Sequence, residues 1–209
     1  MKRIVTYLCL LVCLGFFTQN TYAQSGVSAP YFLGFEESDA VELSEWVLNP
    51  GPLADQCPDK WVVGDAVHNE GRRSLYISSD GGANAAFGVA KNVQYAYRDF
   101  TIPAGQYEVS FDWACMGNSN AFLKVGIAWT SGVSNLMNAD NTSANIPEAI
   151  VGWCKDLGAL SGSGSWKNSS VRVSSNGKTS YRLFFVWASS NQDTTIVNPL
   201  GACIDNVQI

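Results

Sequence analysis

Histidine is almost missing from this chain: His68 is the only one in 209 residues. A lone histidine with no evident nucleophile beside it is a poor starting point for acid–base or nucleophilic catalysis, and no other catalytic constellation stands out. Charge is scarce too. Asp, Glu, Lys and Arg make up 15% of the residues, with a net charge of −5. A thinly charged, mildly acidic chain argues against nucleic acid or an anionic membrane as partner. Beyond its first residues the chain has no apolar run near the roughly 18 residues that a membrane-spanning helix needs. Helical periodicity is nearly absent as well, which removes helical bundles and alternating α/β folds from consideration.

The beginning is different. Lys2 and Arg3 precede an almost wholly apolar stretch from Ile4 to Phe17, and Thr21-Tyr22-Ala23 offers the small residues that a signal peptidase reads. Residues 1–23 are expected to be a cleaved signal peptide, which places the protein outside the cell or on its surface. Cleavage leaves 186 of the 209 residues as one domain, 24–209, and takes the charge from −5 to −7 because two cations leave. Four of six cysteines remain: Cys57, Cys115, Cys154 and Cys203. An exported chain can form disulfides, and four cysteines allow three pairings. Like is expected to pair with like, loop-borne Cys57 with Cys154 and strand-borne Cys115 with Cys203; the alternative for the second pair is two buried thiols.

What the remainder has in quantity is alternation. In Tyr107 to Cys115, Tyr, Val, Phe, Trp and Cys take every second position, as on a strand with one apolar face. Ala29–Phe35, Trp61–Gly64, Ser74–Ser78, Tyr95–Ile102, Ala121–Trp129 and Ala202–Ile209 read as further strands. Trp166–Val173 and Tyr181–Ala188 flank Asn176-Gly177, the strongest hairpin signal in the chain, and Leu183 to Trp187 is apolar on both faces. Residues 47–60 read as a loop. Residues 130–164 are rich in Ser, Gly and Asn, with a helical turn expected within Pro147–Trp153. About ten short strands separated by turn signals predict an all-β fold, a two-sheet antiparallel jelly-roll β-sandwich.

A set of residues spread along this pattern resembles a known family. Phe35-Glu36 follows the opening strand, then come Trp61, Gly71 with Ser74-Leu75-Tyr76-Ile77-Ser78, and Tyr97-Arg98-Asp99-Phe100. Gly105 to Trp113 continues it, and Cys203-Ile204-Asp205-Asn206-Val207 closes it. The whole is similar to the jelly-roll domains of surface proteins from Bacteroides-like bacteria. Those resemble cleaved-adhesin and MAM-type sandwiches and, more distantly, carbohydrate-binding modules. The resemblance implies a non-enzymatic role, adhesive or glycan-binding, with a glycan or a host or matrix protein as partner. It also implies a structural Ca²⁺ with Glu36 and Asp205 as side-chain ligands, and hard carboxylate oxygens suit that ion.

Seven tryptophans is a high count. Trp61, Trp113 and Trp187 lie in strand patterns and belong to the core. Trp129, Trp153 and Trp166 sit at strand ends or in the Ser/Gly-rich segment, where an exposed ring could stack on the apolar face of a sugar. They are the candidate ligand-binding residues. A structural spacer domain without a ligand is the alternative function. A glycoside hydrolase built on an acid pair such as Glu36 and Glu37 is a more distant one.

Overall fold

The computed structural model of the protein describes residues 29–51, 54–88, 92–117, 121–133, 159–160, 163–189 and 199–209. The expected signal peptide and the helical turn expected within Pro147–Trp153 lie outside these residues, as do Trp153 and Cys154.

The fold is a two-sheet antiparallel jelly-roll β-sandwich. Among the described residues there are eleven strands: β1 Phe32–Leu33, β2 Val47–Leu48, β3 Lys60–Gly64, β4 Ser74–Ser78, β5 Asn92–Phe100, β6 Ala104–Cys115, β7 Ala121–Trp129, β8 Ala159–Leu160, β9 Ser163–Asn176, β10 Tyr181–Ser189 and β11 Cys203–Gln208. One sheet runs β3-β4-β11-β6-β9, with β1 also paired to β11; the other runs β2-β5-β10-β7-β8. The helices are single turns, α1 Ala40–Leu43 and α2 Thr130–Val133.

Alternation of side chains decides what lies between the sheets. From the first sheet come Trp61, Leu75, Ile77, Val109, Phe111, Trp113 and Ile204; from the second come Leu123, Val125, Ile127, Leu183, Phe185 and Trp187. Phe185 is the meeting point. It stacks on Trp46 at 5.7 Å between ring centroids and takes the edge of Phe111 at 5.5 Å, with Trp61 at 6.4 Å. Strand β10 is buried along its whole length, as its two apolar faces require. Its second face joins Val93, Tyr95, Ala128 and Val133 in a separate cluster. At its start, Arg182 grips Asp99 with two hydrogen bonds of 2.6 and 2.7 Å and lies 3.8 Å from the Tyr97 ring centre.

Three sequence expectations change. Asn176-Gly177 does form a turn, with Gly177 at φ 74° and the Asn176 side chain accepting from the backbone N–H of Lys178 and Thr179. It is not a hairpin, because β9 pairs with β6 while β10 pairs with β5 and β7. The turn carries the chain from one sheet to the other. Residues 47–60 are not wholly loop: Val47 and Leu48 pair with Tyr97 and Ala96. Cys115 and Cys203 are not bonded to each other. Cys203 stands opposite Ala114 in register, so Cys115, one residue on, points to the other face of the sheet. Both are buried thiols, and burial pushes the Cys115 thiol up to about 11.

Phe185→Ala should cost about 3–5 kcal/mol of unfolding free energy, since it empties a site that three rings share. Urea denaturation measures this; a loss below about 1 kcal/mol would mean that these rings do not hold the sheets together.

Candidate functional site

The loop between β3 and β4 is where the first and last strands of the chain act together. Asp205, on β11, is fully buried and accepts through Oδ2 from the backbone N–H of Asn69 at 2.9 Å and of Glu70 at 3.2 Å. Its Oδ1 accepts from the N–H of Asn206 at 2.8 Å. Three residues further along the loop, Glu36 Oε1 accepts from the N–H of Arg72 at 2.9 Å and of Arg73 at 3.1 Å. Gly71, between the two grips, has φ +62°, and a Cβ there would run into the Glu36 carboxylate. A left-handed backbone under a close carboxylate accepts only glycine. Glu36 is itself held by Asp39, whose carboxylate accepts from the Glu36 N–H at 3.0 Å.

The structure therefore brings both expected metal residues to one loop, and shows each taking backbone N–H donors. A carboxylate has about four acceptor sites, so these N–H bonds leave lone pairs that a hard cation such as Ca²⁺ could use. Among the described residues, no three of His, Cys, Asp and Glu converge in a way that could hold a metal. The N–H donors make the two carboxylates a tether for the loop, and whether they also share a Ca²⁺ passes to experiment.

Asp205 has a second carboxylate beside it, since Asp112 is its register partner on β6. Two like charges on one face are costly. The cost is offset by three amides donating to Asp112, those of Asn69 at 2.9 Å, Asn206 at 2.8 Å and Asn168 at 2.8 Å. Burial, and then the Asp112 charge, still hold the Asp205 carboxyl above its ordinary value of 3.8, against the pull of its three N–H donors. A cleft of about 1060 Å³ opens beside the loop, lined by Glu36, Glu37, Asp65, His68, Arg72 and Arg73.

The tryptophans separate. Trp129, at the end of β7, is 49% exposed. The next residue, Thr130, donates from its backbone N–H to the Ser180 carbonyl at 3.0 Å, and the two hydroxyls share a hydrogen bond of 3.0 Å. Trp166 is half-buried and packs with Tyr76, Ala114 and Cys203 on the outer side of the other sheet. The structure does not bring Trp129 and Trp166 together, and Trp153 lies outside the described residues. Sequence reasoning missed Phe32, 59% exposed on β1. Alternation within Ala29–Phe35 could have put it opposite Leu33, on the solvent side.

No family model matches the chain, and no curated protein matches it. Among solved structures, the xylan-binding domain of a family 22 carbohydrate-binding module matches with 12% identity over 86% of this chain and 94% of that one, at a TM-score of 0.46. The CBM22-1 xylan-binding domain of Paenibacillus barcinonensis Xyn10C matches with 14% identity over 88% and 96%, at 0.46. A family 61 module in complex with β-1,4-galactotriose matches with 12% identity over 85% and 98%, at 0.45. At these values the likeness is one of outline, and what the chain binds has to be read from its own residues.

Two outcomes are expected at the loop. If Glu36 and Asp205 share a Ca²⁺, EDTA should lower the melting temperature in calcium-containing buffer, and an unchanged melting temperature would leave the N–H tether alone. A shared ion at a hundredfold excess over its Kd would give a drop of roughly 5–11 °C, reversed by added calcium. Asp205→Asn turns an NH₂ toward an N–H donor and should cost about 1–3 kcal/mol. Because the folded carboxyl titrates above 3.8, its contribution falls as pH rises from there through the raised value. The stability gap between wild type and mutant should accordingly be wider near pH 4 than at pH 7 in denaturation curves. A gap that widens with pH would show that the carboxyl titrates low.

Proposed function

We propose that the protein is an exported, non-catalytic β-sandwich that binds glycan at its surface. The observation that carries this reading is Trp129, a large indole left 49% exposed in a chain whose strand-pattern tryptophans Trp61, Trp113 and Trp187 are at most 5% exposed. About half of that ring stays open to solvent, which offers an apolar face to a ligand. A pyranose ring offers a flat row of C–H groups for the indole face, while its hydroxyls need hydrogen-bond partners at the edge. The ring stands at the last residue of β7, on hydrogen-bonded strand backbone. Binding without chemistry is in keeping with a site built on an aromatic ring.

A glycan array followed by titration calorimetry tests this, with xylohexaose and β-1,4-galactotriose among the probes. Trp129→Ala should weaken binding of any hit at least tenfold and move the melting temperature by no more than about 2 °C, as exposed substitutions do. A protein that binds no glycan on the array is a spacer. Unchanged binding in the mutant would take Trp129 out of the site.

A further inference from the structure

On the outer side of the six-stranded sheet, register alone lines up four side chains. Phe32 on β1 stands opposite Gln208 on β11, Gln208 opposite Ser110 on β6, and Ser110 opposite Ser170 on β9. Directly paired residues point to the same face. Their neighbours Leu33, Val207, Val109 and Val171 are all buried on the opposite, core side, which fixes these four on the solvent side. The row crosses three inter-strand spacings, about 14 Å. It starts with an apolar ring 59% exposed and continues with an amide and two hydroxyls. A groove of about 420 Å³ runs along its start, lined by Pro30, Tyr31, Phe32, Glu108, Ser110 and Gln208.

We infer that this row is a second glycan-binding surface, which takes a neutral polysaccharide lying across the strands; it rests on the reading above that the protein binds glycan. The ring receives the C–H face of one sugar, and Gln208, Ser110 and Ser170 meet the hydroxyls of the next sugars along the chain. Neutrality follows from the flanking charges. Glu108 is the cross-strand partner of Arg172, so one carboxylate and one guanidinium cancel on that side, and Ser170 already donates to Glu108 at 2.5 Å. On the other side Asp112 is engaged by three asparagine amides. An anionic chain would meet two carboxylates, Glu108 and Asp112, against the single guanidinium of Arg172, and a cationic one would find the oxygens of Asp112 and one of Glu108 already taken by amide and hydroxyl donors. The surface is stiff: its side chains stand on hydrogen-bonded strands, so little ordering cost attends binding.

Trp129 belongs to the five-stranded sheet, so the two surfaces can be separated by mutation. Calorimetry with cellohexaose and with xylohexaose should give about two oligosaccharides per chain for wild type, and about one for Phe32→Ala and for Trp129→Ala. Gln208→Ala should weaken the site that remains in Trp129→Ala severalfold. Both substitutions on the row are at exposed positions, and melting curves verify that the variants are folded; if Phe32→Ala lowers the melting temperature, the Gln208→Ala result decides. Wild-type stoichiometry in Phe32→Ala, with binding lost in Trp129→Ala, overturns the second surface and leaves the first. Wild type that binds neither sugar overturns both.

Discussion

Phe185 is the contact on which the sandwich depends. It sits on the middle strand of one sheet and meets Phe111 and Trp61 from the other, while Trp46 stacks on it from the segment between α1 and β2. Sheets are held together by non-directional burial, and an aromatic cluster adds geometric preference to it. That preference fixes how the sheets sit over each other and so where every outward-facing side chain comes to stand. The short first strand, the turn after it and Trp46 are drawn onto the same cluster. Arg98 helps to hold them: its guanidinium is buried, bonds Glu42 at 2.8 Å and lies over the Phe100 ring, and Glu42 in turn accepts from the Tyr31 hydroxyl.

The outer surfaces are organised by a different force. On the six-stranded sheet, buried and half-buried carboxylates are satisfied by backbone N–H groups and side-chain amides. This makes polar features of the surface as firmly placed as core features. The loop at Asn69 to Arg73 has little apolar content, and its conformation follows from which N–H groups Asp205 and Glu36 can reach. Removing either carboxylate would leave partly buried donors without acceptors, which costs more than the net worth of the bonds.

Much of the fold was legible in the chain because alternation is a local property. Tyr107 to Cys115 announced its inner face, and Leu183 to Trp187 announced burial on both sides; each proved so. What failed was what depends on partners. Asn176-Gly177 carries the chemistry of a turn, and nothing in a turn says whether the next strand joins the same sheet. Cys115 and Cys203 both looked like strand cysteines, and only the register with Ala114 shows that they face opposite ways. Glu36 and Asp205, singled out as a calcium pair, both reach the loop at Asn69 to Arg73, where the partners the structure shows are backbone groups, which the sequence cannot display. Phe32 lay hidden in an apolar run whose pairing sets which side of it meets water. Trp129 was readable as a ring at a strand end, while Trp166, chosen on the same grounds, packs on a satellite cluster.

Asn49 has a consequence for how the molecule meets copies of itself. Its backbone has φ 52°, its N–H bonds the Tyr95 carbonyl, and its side chain both donates to the Trp61 carbonyl at 2.8 Å and accepts from the Trp61 N–H at 2.7 Å. Strand β3 is the border of its sheet, and Trp61 is the residue whose backbone groups point outward there. One amide therefore occupies the positions that an incoming strand would use. The opposite border, β9, is longer and is guarded by composition instead, with Lys167 and Arg172 set among serines and asparagine. A sheet with two raw borders would be a template for strand addition and fibril growth. This sheet fills part of its first border with a side chain and makes the second unattractive to an apolar strand, so neither offers a neighbouring chain a clean edge to extend.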